Sequence, residues 1–317
     1  MTAYAVIDSG TTTTRLRLWQ DGDVRWSASM AAGARDTAID GEPRAIRVAV
    51  RDLLARMRHE AGVTPTAVIC SGMITSNLGL HEVPHLTAPA GPRELAAGIV
   101  RVTIPEIGEL AFIPGVKTVP RSDTLADLGS GDVLRGEEAE VTGLRTLLGL
   151  TGPATFLHFG SHHKAVDVDG DGRITASRTA VTGELLAAVA GHTILKSSVA
   201  PLDGLALDAE AVRAGARATH EHGLGRALFL VRVGEQLGGR PRATMTSFLV
   251  GALAMLDLPL LPGVGGPPIV LYGHGAFPEA LATLLEGRPG VIQVDGTTAD
   301  LAAVAGAVAL YELRGTP

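Results

Sequence analysis

The chain has 317 residues, of which 46% are hydrophobic and 19% charged, with 40 glycines and 18 prolines. This is globular composition and excludes a disordered, collagenous or coiled-coil protein. The net charge is −6 and the basic residues are scattered, which excludes the electrostatic footprint of a nucleic-acid binder. Length alone suggests two domains, or one large one. The single cysteine, Cys70, offers no internal disulfide and no cysteine-based metal site, in keeping with a reducing compartment. Asp8 interrupts the first apolar stretch, so the N-terminus does not read as a signal peptide. The apolar runs Phe248–Leu256 and Leu301–Tyr311 fall short of the roughly 20 residues that span a bilayer. The expectation is a cytoplasmic protein with no membrane and no nucleic-acid partner.

In chain order, Ala3–Asp8 reads as a strand running into the glycine-hydroxyl stretch Ser9–Thr14. Arg15–Trp19 and Val24–Ser29 alternate on either side of Asp21-Gly22, the strongest short signal for a hairpin. Pro43–Gly62 carries Ile46, Val50, Leu53, Leu54 and Met57 at helical spacing, with Gly62 as its stop. Ala67–Cys70 reads as a buried strand entering the polar loop Ser71–Asn77. Pro114–Asp132, rich in Pro, Gly, Ser and Asp, reads as a boundary, and Arg135–Leu148 as a helix whose first-turn acids suit the macrodipole.

The opening grammar then returns. Thr155–Phe159 is apolar, Gly160–Lys164 is a small polar loop, Ala165–Val168 alternates, Asp169–Gly172 turns and Arg173–Ser177 resumes. Twelve residues separate loop glycine from turn glycine in both copies, Gly10 to Gly22 and Gly160 to Gly172, which suggests a duplicated fold. Thr179–Val189 reads as helical, with Thr182 as its cap. Pro268–Tyr272 and Val291–Val294 read as strands, and Pro278–Leu285 and Thr298–Leu313 as helices. Alternating strands and helices predict an α/β protein.

A strand ending in a small-residue turn presents backbone N–H groups that can hold phosphate oxygens without a net positive charge. Gly10, Thr11 and Thr12 fit that role, with Asp8 at the strand end able to hold Mg²⁺ through water. Two such hairpins could clamp a polyphosphate from both sides, and His162, His163 and Lys164 could then meet a phosphate or an anionic substrate. Gly273-His274-Gly275 lies between a strand and a helix, where a base or ribose could pack. It lacks the spacing of a dinucleotide fingerprint, and no P-loop occurs. Glu137 and Glu138 are candidates for the base that phosphoryl transfer to an alcohol requires, or are simply helix-capping acids. Arg135 could pair an anionic substrate group, and Met73, Ser76 and Asn77, in the loop after a buried strand, lie where a polyol could be read.

Taken together, Val6–Thr12 with Arg15 and Trp19, Ser71–Asn77, Ile113–Val116, Leu134–Glu138, Gly160–Lys164 and Val181–Leu185 resemble the 2-dehydro-3-deoxygalactonokinase family of the sugar kinase and actin superfamily. The resemblance covers most of the chain. It implies two ribonuclease-H-like (actin-like ATPase) domains around a central cleft, here 1–117 and 118–317. It also implies transfer of the γ-phosphoryl of ATP, with Mg²⁺, to the 6-hydroxyl of 2-dehydro-3-deoxy-D-galactonate or a closely related sugar acid. By the same resemblance Gly10, Thr11, Thr12, Gly160, Ser161, Gly273 and Gly275 contact ATP, and Asp8, Glu137 and Glu138 are the catalytic acids, with Glu137 the first choice of base. The substrate would meet Met73, Ser76, Asn77, Arg135, His162, His163 and Lys164. A homodimer is compatible with this reading. Ser9 and Ala165 stand where the family usually has aromatics, which keeps open a nucleotide-binding regulator or a phosphohydrolase on the same fold.

Overall fold

Ala3–Ser9, apolar at nearly every position, becomes a buried strand at the centre of a six-stranded sheet in the computed structural model, which describes residues 2–315. The sheet order is Asp23–Met30, Thr14–Gln20, Ala3–Ser9, Ala67–Gly72, Gly108–Phe112, Val100–Ile104. The hairpin turns at Asp21 and Gly22, with φ of 55° and 81°, the left-handed pair that matches strand twist. Helix Arg44–Ala61 buries the five predicted apolar residues and ends at Gly62, φ 65°. Its stripe packs with Leu16, Leu18, Cys70 and Phe112 in one core.

A second sheet runs Ile174–Ala180, His163–Val168, Ala154–Phe159, Ile269–Gly273, Val291–Gln293. The duplication read from glycine spacing is visible as topology. In each sheet three strands consecutive in sequence lie side by side, and the first of them pairs in parallel with a later strand, Ala3–Ser9 with Ala67–Gly72 and Ala154–Phe159 with Ile269–Gly273.

Several local readings are corrected. Pro114–Asp132 is not a bare linker: Val116–Thr118 and Asp132–Leu134 pair as strands, and Leu86–Thr87 completes their small sheet. His163 and Lys164 belong to a strand, so the second polar loop is shorter than expected. Thr182 opens helix Thr182–His192, but its hydroxyl donates to Asp257 instead of capping the helix. Helices Ala209–His222, Leu224–Gln236 and Arg242–Ala254 were not read from the sequence. The last continues to Leu260, giving a 19-residue segment that would cross a membrane by length and composition alone. Its residues Leu249, Val250, Leu253 and Ala254 lie instead in a core with Val212 and Val231.

Contacts group the chain into two units. One runs through Gly152 and takes in Val168–Ser177 and the chain from Thr297 onward; the other comprises Pro153–Asp167 and Arg178–Gly296. Residues 118–152 thus group with the first unit, although the sequence reading set them beyond its boundary.

Candidate active site

In the first unit the predicted residues gather where two parallel strands end. Asp8 lies beside Ser71 on one side and Arg15 on the other, and Ser9 lies beside Gly72. Gly72 has φ 80°, and a Cβ there would stand 2.8 Å from Asp8 Oδ1 and 2.5 Å from the Ser9 carbonyl oxygen. A Cβ on Gly136, φ 119°, would approach Gly72 Cα to 3.2 Å. Two glycines therefore let the start of helix Glu137–Leu147 settle onto the Asp8 strand end. Burial pushes the Asp8 carboxyl up to about 6; Glu140 adds to this and Glu137 contributes less, while Arg17 and Arg15 oppose it.

The loop after Asp8 is held by its own bonds. The Gly10 N–H closes the turn onto the Thr13 carbonyl at 2.9 Å. The Ser9 and Thr14 hydroxyls lie 2.9 Å apart, and Thr14 donates to the Ala32 carbonyl at 2.7 Å. The Gly10 N–H is thus spent within the loop, while Thr12 stands exposed and Thr11 partly so.

The two glutamates differ in their bonds. Glu138 is 1% exposed and accepts backbone N–H bonds from Val116 at 2.8 Å and Gly136 at 2.6 Å, one on each carboxylate oxygen. Glu137 accepts one from Arg135 at 3.1 Å. The Arg135 guanidinium turns inward, donating to the Thr75 carbonyl and hydroxyl, each at 2.6 Å, and to the Val83 carbonyl at 2.9 Å, with the His85 ring alongside. It fixes the loop after Gly72 from within. In that loop Ser76 donates to the Met73 carbonyl at 2.7 Å and is buried, whereas Met73 is half-buried and Asn77 exposed. Of the three predicted polyol readers, Asn77 and Met73 keep a face to solvent.

In the second unit one 440 Å³ pocket brings two predicted loops together: Gly160 of the second phosphate loop and Gly275-Ala276 of the adenosine loop. Gly183, at the start of helix Thr182–His192, joins them. A Cβ on Gly183 would lie 2.1 Å from the Gly160 carbonyl oxygen, and the Glu184 N–H donates to the Ser161 carbonyl at 2.9 Å. The pocket is completed by residues absent from the sequence reading, among them Leu202, Asp203, Phe277 and Glu279. The run Pro201-Leu202-Asp203-Gly204 carries a turn signal that could have drawn attention to Asp203. Gly273, φ 126°, is pressed against Phe159, where a Cβ would come to 2.4 Å from its carbonyl oxygen.

The three basic residues after Ser161 do different things. His162 lies 3.4 Å from Glu184 and is partly exposed. His163 is fully buried, with Nδ1 2.6 Å from Asp257 Oδ2 and its ring edge-on between Phe159 and Phe277. Thr182 donates to the other Asp257 oxygen at 2.6 Å. Lys164 is half-buried on its strand. Among the described residues no group of three or more His, Cys, Asp or Glu side chains is set to hold a metal ion.

The comparisons with known proteins agree with one another. The family model for 2-keto-3-deoxy-galactonokinase matches residues 8–310. A Rhizobium meliloti protein assigned as a 2-dehydro-3-deoxygalactonokinase is 30% identical over 312 residues, covering 96% of this chain and 94% of the relative. The Escherichia coli 2-dehydro-3-deoxygalactonokinase is 29% identical over 255 residues, covering 80% and 78%. A crystal structure from Sinorhizobium meliloti, assigned the same activity, superposes with a TM-score of 0.77 at 28% identity, covering 99% of this chain and 100% of that one. The fold is that of the actin-like ATPases and sugar kinases. The chain belongs to the 2-keto-3-deoxy-galactonokinase family.

Proposed function

We propose that this protein transfers the γ-phosphoryl group of ATP to the 6-hydroxyl of 2-dehydro-3-deoxy-D-galactonate. The observation that carries this reading is the glycine-walled pocket of the second unit, joined to family membership over residues 8–310. Gly160, Gly183 and Gly275 let backbone approach a nucleotide closely, and Leu186, Leu202 and Phe277 offer apolar surface for its base. Ser161 adds a hydroxyl at the phosphate end of this pocket, and in the first unit Thr11 and Thr12 line the other predicted phosphate loop.

Glu137 is the base in this reading. Both Glu138 oxygens are committed to backbone N–H groups, so Glu138 positions the strand Val116–Thr118 and the helix start. A general base needs an oxygen within reach of the attacking hydroxyl. In the first unit Asn77 and Met73 are available to read hydroxyls of the acceptor, and in the second unit Lys164 and His162 are the groups suited to an anion. Arg135 and Ser76 in the first unit, and His163 in the second, are committed to internal bonds and shape their own loops. Asp8 offers a hard oxygen donor at a strand end, which suits Mg²⁺ that keeps most of its waters. Bound there, the ion would neutralise phosphate charge.

A coupled ADP-release assay tests the proposal, comparing 2-dehydro-3-deoxygalactonate with its gluconate epimer. Turnover with the galactonate well above acceptor-free hydrolysis is expected. Release of phosphate at the same rate with no sugar acid present would replace the kinase reading with a phosphohydrolase.

A further inference from the structure

Another pocket of the second unit shares no lining residue with the glycine-walled one. It is a 640 Å³ hollow formed by helix Ala209–His222, the turn at Met255 and the end of helix Phe277–Leu284. Arg213, Arg217 and His220 line it from one helix face, at spacings of four and three. Ala216, Met255 and Leu284 give it an apolar floor, and Glu286 pairs with Arg213 at its edge. The charged residues lining the glycine-walled pocket are both acids, Asp203 and Glu279; here basic residues predominate.

From this juxtaposition we propose a second ligand site, for a small organic oxyanion whose carboxylate or phosphate engages Arg213 and Arg217 while its carbon skeleton rests on Met255 and Leu284. Guanidinium forks match both anions in a paired, planar geometry. The incoming anion takes the place of Glu286 at Arg213, exchanging one exposed ion pair for another, so entry does not require burying an unpaired charge.

Two elements reach from this site to the other pocket. Helix Phe277–Leu284 places Phe277 and Glu279 in the glycine-walled pocket and Leu284 in the cationic one. The short 3-10 helix that begins at Met255 carries Asp257, which pairs with His163 and accepts from Thr182, the residue before Gly183. Occupancy of the cationic site therefore alters nucleotide affinity through these two short segments, a coupling that rests on reading the glycine-walled pocket as the nucleotide site.

Calorimetry on the full chain with citrate, glucose 6-phosphate and inorganic phosphate tests this. At least one of the two organic probes is expected to bind below about 1 mM, and R213A/R217A to weaken it by about tenfold or more. Inorganic phosphate, lacking a carbon skeleton, should bind more weakly than either. Citrate binding alone marks a carboxylate site, and glucose 6-phosphate binding alone a phosphate site. A saturating organic anion should shift the Kd of ADP by about fivefold in the wild type and not in R213A/R217A, which on its own should leave ADP binding unchanged. The site is refuted if neither organic probe binds at about 10 mM, or if the double variant binds them equally well. An unmoved ADP Kd overturns the coupling. Failure of ADP to bind the wild type would instead strike the nucleotide reading, and the anion titration would still decide this one.

Discussion

His163 Nδ1 and Asp257 Oδ2 lie 2.6 Å apart with both side chains fully buried, and the same carboxylate accepts from Thr182. One carboxyl group thus ties together a strand, a helix start and a turn. Removing one member of a buried, hydrogen-bonded pair costs on the order of 3 kcal/mol. D257A should therefore lower the urea midpoint of the second unit markedly, and D257N by less, since an amide oxygen can still accept from Thr182. Equal midpoints for D257A and wild type would dismiss the network as a stabilising element.

Glu137 and Glu138 should separate cleanly. E137Q is expected to lower kcat by about 10²–10⁴-fold with little change in KM, the range for loss of a general base. E138Q presents an amide where one backbone N–H needs an acceptor, so it should cost about 1–3 kcal/mol of stability. Steady-state kinetics and denaturant melts of both variants decide between these roles, and a reversal of the two phenotypes would move the base to Glu138.

Asp8 predicts a pH signature. Its carboxyl holds a proton up to about 6, above its ordinary value of 3.8. The folded state then binds more protons than the unfolded one between those two values, so this group's contribution to stability falls as pH rises from about 4 to 6. D8N should accordingly be more stable than wild type at pH 7.5, by on the order of 1–2 kcal/mol, with the gain vanishing near pH 4. The same variant should lose activity. Thermal melts at both pH values check the first statement, and an identical difference at the two would exclude Asp8 as its source.

Gly183 is predicted to be intolerant of a side chain. The Cβ of G183A would meet the backbone of Gly160 at 2.1 Å, so the loop must move. An increase of about tenfold in KM for ATP is expected, equivalent to about 1.4 kcal/mol, with KM for the sugar acid less affected. Initial-rate kinetics with each substrate varied in turn provide the check.

Arg135 offers a contrasting case, because its bonds to Thr75 and Val83 shape a loop instead of meeting a ligand directly. R135A should raise KM for the sugar acid more than for ATP, and R135K should recover only part of it, because an ammonium lacks the planar fork. Matching values for R135K and wild type would show that a charge alone suffices at this position.

Much of the fold was legible because local signals agreed with one another. Asp21-Gly22 names its turn, Gly62 ends the helix whose stripe is Ile46 to Met57, and the Gly10–Gly22 spacing recurs at Gly160–Gly172. What stayed hidden depends on distant partners. Asp257 lies 94 residues from His163, and nothing near either announces that they meet. Helix Arg242–Ala254 is buried around much of its circumference, so it lacks the polar face that a helical period needs. Arg135 looks like a substrate clamp in sequence, and only the fold directs it toward carbonyls 52 and 60 residues earlier.

The first unit draws in helix Gly296–Leu313, where Asp300 pairs with Arg17 at 2.6 Å and Tyr311 stacks edge-on against Tyr4. Contacts spanning some 283 residues of chain close late. On the ribosome, the opening sheet has all six strands by Phe112 but lacks the helix that meets Arg17 and Tyr4, while the second unit needs no segment beyond Gly296. Nascent chains halted before Thr297 should offer chaperones a first sheet without that helix.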